Sequence, residues 1–435
     1  MTRKEAEDYV YESYLTADRC YGYDTADAER RFPGYSADVI RRLCPHDEAV
    51  VITGSKGKGS VAVMAEAILR GRYCTGLLTS PHLSDFCERF RIDGTQVSDD
   101  MFVGHMARVR QEFEPVRAGL PADRCISPMG VQAAAAMSMF AEAGVERMVL
   151  ECGKGARYDD VNNVPHRYAV INTVFLEHTR ELGSTVAEIA ADKAHVITSD
   201  TRVVCVGRQQ AEALEVIMRR VRAMGAEAMV YGRDFRCMNV RSGHGGTTFD
   251  ADICGSVYKD LSLPLIGTFQ AENCVLAMAV CSAMTGGLPP EEQLRRAVAS
   301  VSRPGRMEIL SSDPFMLLDA CINRASGAGV IACIESMGLS GCCTVIGIPD
   351  DKDYAGVAQV MAPVSDFILL TASDNPHYRF TPDCQRETLR SMGIGADVAR
   401  SVRESVDRAL LTGRPVVILG TTSVVTEVRS VLGLK

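Results

Sequence analysis

The sequence predicts an α/β protein in two parts: a P-loop-type, mainly parallel sheet domain, then a smaller, Rossmann-like C-terminal α/β domain. Three observations carry this. Short apolar runs alternate with helix-prone stretches along most of the 435 residues, the pattern of parallel strands covered by helices. A glycine-rich segment, Gly54 to Ser60, stands between an apolar run and a helical one. Four further buried-strand candidates follow Pro304 and Gly305, which break the pattern. The boundary is therefore set between residues 1–303 and 304–435.

Taken in order, the first fifty residues read as helices around a short loop. Glu5 to Tyr14 and Ala37 to Leu43 carry apolar residues near helical spacing. Ala49 to Ile52 fits a buried strand, and Val61 to Arg70 a helix after the glycine turn. CTGLLT is a strand, the alanine-rich GVQAAAAMSMFAEAG a helix, and RMVLE and YAVINTV two more strands. TVAEIAADKAHVI is helical by spacing, and RVVCVG returns to strand. MNVRSGHGGTTFDADICGSVYKDLSL alternates and carries Gly and Thr, so antiparallel strands appended to the sheet are expected. QAENCVLAMAVCSAM and EEQLRRAVASV read as helices; FMLLDA, CCTVIGI, FILLTA and PVVILG are the strands of the second domain.

Composition narrows the function. Hydrophobic residues at 46% and charged residues at 23% exclude wholesale disorder. No apolar run reaches the roughly 18 residues a membrane-spanning helix needs. A net charge of -8 argues against a nucleic-acid binder but leaves room for a local basic pocket. The sixteen cysteines include no CxxC, which removes zinc ribbons and thioredoxin-like motifs. The charged start MTRKEAEDYVYESYL lacks an apolar signal segment. A cytoplasmic chain with reduced thiols, without nucleic-acid or membrane partners, is expected.

The candidate chemistry lies at strand ends. In Gly54-Ser55-Lys56-Gly57-Lys58-Gly59-Ser60, glycine lets backbone N–H groups converge on phosphate oxygens. Lys58 can neutralise β/γ-phosphates, and the following helix N-terminus favours negative charge. The spacing departs from GxxxxGK[ST], and a glycine-rich turn with incidental lysines is the alternative. Glu151 closes RMVLE, where a carboxylate can hold Mg²⁺ or form a surface ion pair. His178, after a buried strand, reads as structural by default; Lys193, on a helix, reads as a surface lysine.

Together these pieces make the chain similar to the folylpolyglutamate synthase/dihydrofolate synthase family of the Mur ligase superfamily. The resemblance rests on TGSKGKGSVAVMAEAILRGR, TSPHLSDFCERFRIDG, LECGKGARYDDVNNV and LEHTRELGSTVAEIAADKAHVI. FQAENCVLAMAV, RPGRMEIL, DDKDY and LGTTSVVTEVR extend it over about Tyr14 to Arg429. It implies an ATP-dependent carboxylate–amine ligase that works through an acyl phosphate and joins an amino acid such as glutamate to a carboxylic acid. Gly54, Ser55, Lys56, Gly57, Lys58, Gly59 and Ser60 would bind the ATP phosphates, Asn273 the adenine, Arg306 the phosphates and Asp319 the ribose. Ser80, Glu151 and His178 would hold Mg²⁺, of which two ions are expected. Lys193 matches the family lysine that is carbamylated. A monomer or weak homo-oligomer is expected.

The chain also departs from the pattern. Ile322 replaces the histidine of the DGAHNP motif, Phe269 the first residue of its HQ pair, and Lys56 the asparagine of the loop. Lys56, Lys154 and Arg324 add positive charge, which favours a polycarboxylate or other non-folate acid. Two rivals remain: delivery of the acyl phosphate to carbon or ammonia, and a nucleotide-binding P-loop protein that is not a ligase.

Overall fold

The computed structural model describes residues 1–18, 20–21, 27–375 and 378–434. They fall into two compact units. The first holds Met1–Met238, Asp250–Leu261 and Glu272–Ser300; the second holds Asn239–Phe249, Ser262–Ala271 and Val301–Lys435.

The first unit is built on eight strands: β1 (Ala49–Thr53), β2 (Thr75–Leu78), β3 (Phe90–Ile92), β4 (Thr95–Gln96), β5 (Arg147–Glu151), β6 (Tyr168–Ile171), β7 (Val203–Val206) and β8 (Glu227–Val230). Their order is β4-β3-β2-β5-β1-β6-β7-β8. β1 runs parallel to β5 and β6, with Ile52 opposite Glu151 and Thr53 opposite Ile171. All five residues of β1 are buried, as in a strand covered on both faces. This register brings the ends of β1, β5 and β6, and the loops that follow them, to one edge of the sheet. Only β3 and β4 run antiparallel to their neighbours.

Three strands, β9 (Phe235–Gly243), β10 (Gly246–Ile253) and β11 (Ser256–Leu263), form a sheet of their own, in the order β11-β10-β9. The sequence had placed them on the large sheet. Their burial alternates along β10, the mark of a sheet with one face packed and one in water, whereas the large sheet is buried on both faces. Residues of these strands are divided between the two units.

The second unit carries β12 (Glu308–Ser312), β13 (Phe315–Asp319), β14 (Cys342–Gly347), β15 (Ser365–Leu370), β16 (Asp397–Val398) and β17 (Val416–Gly420). The order is β12-β13-β17-β14-β15-β16, parallel except for the β12–β13 pair. The four apolar runs of the sequence are β13, β14, β15 and β17. β12 and β16 are short, polar edges that hydropathy does not mark.

No described helix is long and apolar enough to cross a membrane. All sixteen cysteines are free thiols, most of them buried; Cys20, Cys254 and Cys384 are exposed.

Candidate active site

The phosphate loop begins where β1 ends. Gly57 has φ +80° and caps the helix Lys58–Leu69; Gly54 has φ +144°. A Cβ on Gly57 would lie 2.5 Å from Asn172 Nδ2 and 2.6 Å from Asn273 Oδ1. One on Gly54 would lie 2.8 Å from the Asn172 Cβ. Both positions therefore need glycine twice over, for backbone conformation and for space. Ser55 N–H donates to the Thr173 carbonyl at 2.9 Å, and the Ser55 hydroxyl bridges Phe175 N–H and C=O, both at 3.1 Å. The first N–H groups of the helix have no intrahelical acceptor, which is the geometry that receives a phosphate.

Asn172, which follows β6, was not singled out from sequence. Its Nδ2 donates to the Lys56 carbonyl at 3.0 Å and to Asn273 Oδ1 at 2.8 Å, and its Oδ1 accepts from Thr173 N–H at 2.8 Å. It ties the phosphate loop to Asn273, on the helix Thr268–Thr285. Only its place at the end of a buried strand could have marked it.

Two lysines meet on one carbonyl. Lys58 Nζ donates to Gly54 O at 3.0 Å, and Lys193 Nζ to the same oxygen at 3.1 Å. Lys193 is 0% exposed, far from the surface lysine that its helix implies by default. It also pairs with Glu177 Oε1 at 2.8 Å. Burial pulls the Lys193 amine below its ordinary range; Glu177 pulls it back, and Lys58 pushes it further down. The preceding residue, Asp192, accepts from Ala156 N–H at 2.8 Å and so holds the glycine-rich stretch after Glu151. The far side of that stretch is held by Asp159, through Gly153 and Lys154 N–H at 2.9 and 3.1 Å. Glu177 and Asp192 have partners 16 and 36 residues away, Lys193 and Ala156, and Asp159 closes a local loop that carries no periodic signal.

Glu151, 4% exposed at the end of β5, takes hydrogen bonds on Oε2 from the Thr79 hydroxyl and from Ser80 N–H, the latter at 3.0 Å. Oε1 accepts none among the described residues. Ser80 and Glu151 thus stand together, as oxygen donors suited to a hard cation. His178 begins a short helix with φ +44°, a left-handed backbone that non-glycine residues rarely adopt. Its Nε2 lies 4.0 Å from Glu177 Oε2. Burial pulls its pKa down against the pull of Glu177. Among the described residues no hydrogen bond or ion pair joins His178 to Glu151. The cluster Asp85, Cys87 and Asp99, which has metal-like spacing, already holds a cation. Arg3 reaches Asp85 at 2.7 Å and Cys87 Sγ at 2.8 Å, and also contacts Asp99.

In the second unit, Arg306 and Asp319 share a corner. Arg306 Nη1 donates to the Ala320 carbonyl at 3.1 Å, and Met307 N–H to Asp319 Oδ2 at 2.9 Å. Asp319 is 3% exposed, and its Oδ1 is buried with no hydrogen-bond partner. Asn323 accepts from Ser326 N–H at 2.9 Å and caps the helix Arg324–Ser336. Phe269 packs into the core of this unit, near Gly329. In the first unit, Lys154 pairs with Glu181 at 3.5 Å.

The model of the Mur ligase middle domain matches residues 52–281. The chain is 32% identical, over 394 residues, to the dihydrofolate synthase/folylpolyglutamate synthase of Mycobacterium tuberculosis, covering 81% of this chain and 78% of that one. It is 30% identical to a probable bifunctional folylpolyglutamate synthase/dihydropteroate synthase of Halobacterium salinarum, covering 91% of this chain and 49% of that longer protein. Among solved structures, the fold is similar to Mycobacterium tuberculosis folylpolyglutamate synthase complexed with ADP, with a TM-score of 0.85, 27% identity and 99% of each chain covered. A second structure of that enzyme, complexed with ADP and AMPPCP, gives a TM-score of 0.84 at 28% identity, covering 94% of this chain and 96% of that one.

Proposed function

The chain belongs to the folylpolyglutamate synthase/dihydrofolate synthase family of Mur ligases, and on that premise we propose how its residues divide the work. The protein is an ATP-dependent ligase that forms an amide bond by adding glutamate to a carboxylic acid. The observation that carries the assignment of the site is the glycine-lined loop with Lys58 and Lys193 converging on Gly54 O.

Gly54 to Ser60 receive the ATP phosphates, because the loop leads into the N-terminus of the helix Lys58–Leu69, whose first N–H groups have no intrahelical acceptor. Asn273 faces the adenine. In the second unit, Arg306 contacts the phosphates. Asp319 offers its unpaired Oδ1 to a ribose hydroxyl, which would satisfy an acceptor that is costly to leave buried. The acid's carboxylate oxygen attacks the γ-phosphorus in line as the bond to ADP breaks, giving an acyl phosphate. The Lys58 ammonium has three donors, of which Gly54 O takes one, so the others remain for that charge. The amine nitrogen then adds to the carbonyl carbon, loses a proton and expels phosphate.

Ser80, Glu151 and His178 are the residues that would hold Mg²⁺. The two oxygen donors fit a hard cation, and the histidine is the less usual partner. The ion supplies charge neutralisation for phosphoryl transfer. Lys193 is proposed as the carbamylated lysine. Its burial favours the neutral amine, the form that reacts with CO₂.

A pterin acid is the favoured substrate. Lys154, one of the added cations, is taken up by Glu181, and Phe269 by the core of its own unit, so neither calls for a polycarboxylate. A monomer or weak homo-oligomer in the cytoplasm completes the proposal. The test is ADP release by purified protein with Mg–ATP, glutamate, and dihydropteroate or tetrahydrofolate. Release that requires both acid and amine, at about 1 s⁻¹ or faster, is expected. Release without the amine would move the reading to another nucleophile, and no amide from either pterin would return it to a non-folate acid.

A further inference from the structure

Arg89 is a buried cation without a carboxylate in direct contact among the described residues. It is 8% exposed, and no carboxylate among the described residues forms an ion pair with it. Its Nε donates to His82 Nδ1 at 2.8 Å, its Nη1 to Gln132 Oε1 at 2.7 Å, and its plane lies over the Phe86 ring, 5.0 Å from the centroid. All three partners are uncharged. Burial alone pulls the guanidinium down, opposed at longer range by Tyr11 and Glu151. An interior guanidinium whose direct partners are all neutral, with Glu151 opposing it only from a distance, keeps a positive potential.

That potential has an outlet. Arginine can only donate, so His82 Nδ1 must accept, and the neutral imidazole then carries its proton on Nε2. His82 is only partly buried, its ring packs on Phe86 at 5.3 Å, and no described residue accepts from Nε2. Arg89 is fixed in turn, since its carbonyl accepts from Thr79 N–H at 2.9 Å, next to the Ser80–Glu151 pair. His82 follows β2, and β5 separates β2 from β1 and the phosphate loop. His82 is thus one strand removed from the phosphate loop but two residues from Ser80, the proposed Mg²⁺ ligand, a place that suits an acid which must meet the γ-phosphate.

We propose that His82 Nε2–H, oriented and polarised by Arg89, binds the carboxylate of the acid substrate. His82 touches the substrate; Arg89 is a positioning residue that acts through it. The proposal rests on the ligase reading above and adds the group that recognises the acid.

The probe is dihydropteroate, whose single carboxylate is the reacting one, with its carboxamide as a neutral isostere. In wild type, calorimetry without ATP should show the acid bound more tightly than the carboxamide. His82→Leu should abolish that preference and raise the KM for the acid by about 10- to 100-fold, the range of a hydrogen bond to a charged group. KM for ATP should stay within about twofold, because His82 itself is not among the groups assigned to the nucleotide or its cation. His82→Gln, which can accept from Arg89 and still donate, should recover most of the loss. Arg89→Gln should repeat the His82→Leu pattern. An unchanged acid preference in His82→Leu overturns the proposal, as does a rise in both KM values together, which would move the anion to the ATP phosphates. His82 lies on a partly exposed loop, so His82→Leu tests the proposal even if Arg89→Gln fails to fold. If wild type binds the acid with the expected preference but forms no amide, the ligase reading falls and the anion site stands.

Discussion

The two corners proposed for the nucleotide are built differently. At the end of β1, the loop is tied down from within the chain. Thr173 holds Ser55, Asn172 holds the Lys56 carbonyl, and two ammonium groups hold the Gly54 carbonyl. At the end of β13, Asp319 is half satisfied, with one oxygen on Met307 N–H and the other buried and unpaired. The first corner is complete in shape before any ligand arrives. The second keeps an interior acceptor that the described residues leave open, as the proposed ribose contact requires. Perturbing the first should therefore cost both fold and turnover, and perturbing the second should cost nucleotide affinity alone.

The strongest test of that contrast is Gly57→Ala. An alanine at φ +80° costs about 1–2 kcal/mol, and its methyl group must also displace Asn172 and Asn273. We expect acid-dependent ADP release to fall about 100- to 1,000-fold, with a lower melting temperature. A variant with normal turnover would show that the loop is not pre-formed. Next is Lys193→Ala, which leaves Glu177 without its partner; turnover should drop about 100-fold, the scale of losing one electrostatic stabiliser. Because this change also strains the fold, wild type depleted of CO₂ gives an independent readout. Its activity should fall and return with bicarbonate, and indifference to both would remove the carbamate.

Asp319→Asn probes the other corner. KM for ATP should rise about tenfold, about 1.4 kcal/mol, while the melting temperature holds or rises, since a buried unpaired carboxylate oxygen is replaced by a neutral group. A large drop in stability instead would make Asp319 a structural residue. Asn172→Ala, in the first corner, loses two side-chain donor bonds and should cost about 1–3 kcal/mol of stability by denaturant titration, with a several-fold rise in KM for ATP.

The smallest effect lies away from both corners. His105 is buried, with Nδ1 at 2.8 Å from the Ser138 hydroxyl and Nε2 at 3.4 Å from Glu142. Burial holds its pKa below the ordinary histidine value of about 6.5, with Glu142 opposing. The unfolded chain then takes up the proton first, so this stability is full above about pH 6.5 and is lost as pH falls toward the folded pKa. His105→Gln should flatten the acid side of the stability curve in that window, and an unchanged slope would mean that the imidazole titrates alike in both states.

Local signals carried most of this fold. β1, β5, β6, β13, β14, β15 and β17 announce themselves as short apolar runs, because strands buried on both faces admit little else. The phosphate loop is readable because its glycines, lysines and flanking elements are contiguous. Lys193 was not readable from its own surroundings: spacing makes it a surface lysine, and only the family resemblance marked it. Its burial depends on Glu177 and Gly54, which are brought to it by the order of the strands. Asn172, Asp192 and Arg89 escape for the same reason, since each gains its meaning from partners that the sheet brings together. β9–β11 were recognised as strands but assigned to the wrong sheet, because pairing partners are not written in periodicity.

The free thiols have a consequence for how the protein can be watched. Cys152, Cys205, Cys274 and Cys281 are sealed inside the first unit, and Cys321, Cys333, Cys342 and Cys343 inside the second. Burial pushes the Cys205 and Cys274 thiols up, the latter to about 12, so at neutral pH they offer almost no thiolate to an alkylating reagent. Cys20, Cys254 and Cys384 are open to the reagent at the surface without any opening of the fold. Each unit thus carries its own opening clock: the labelling rate of its interior cysteines, read peptide by peptide, times how often that unit comes apart, and a nucleotide held by only one of them would slow one clock and leave the other running.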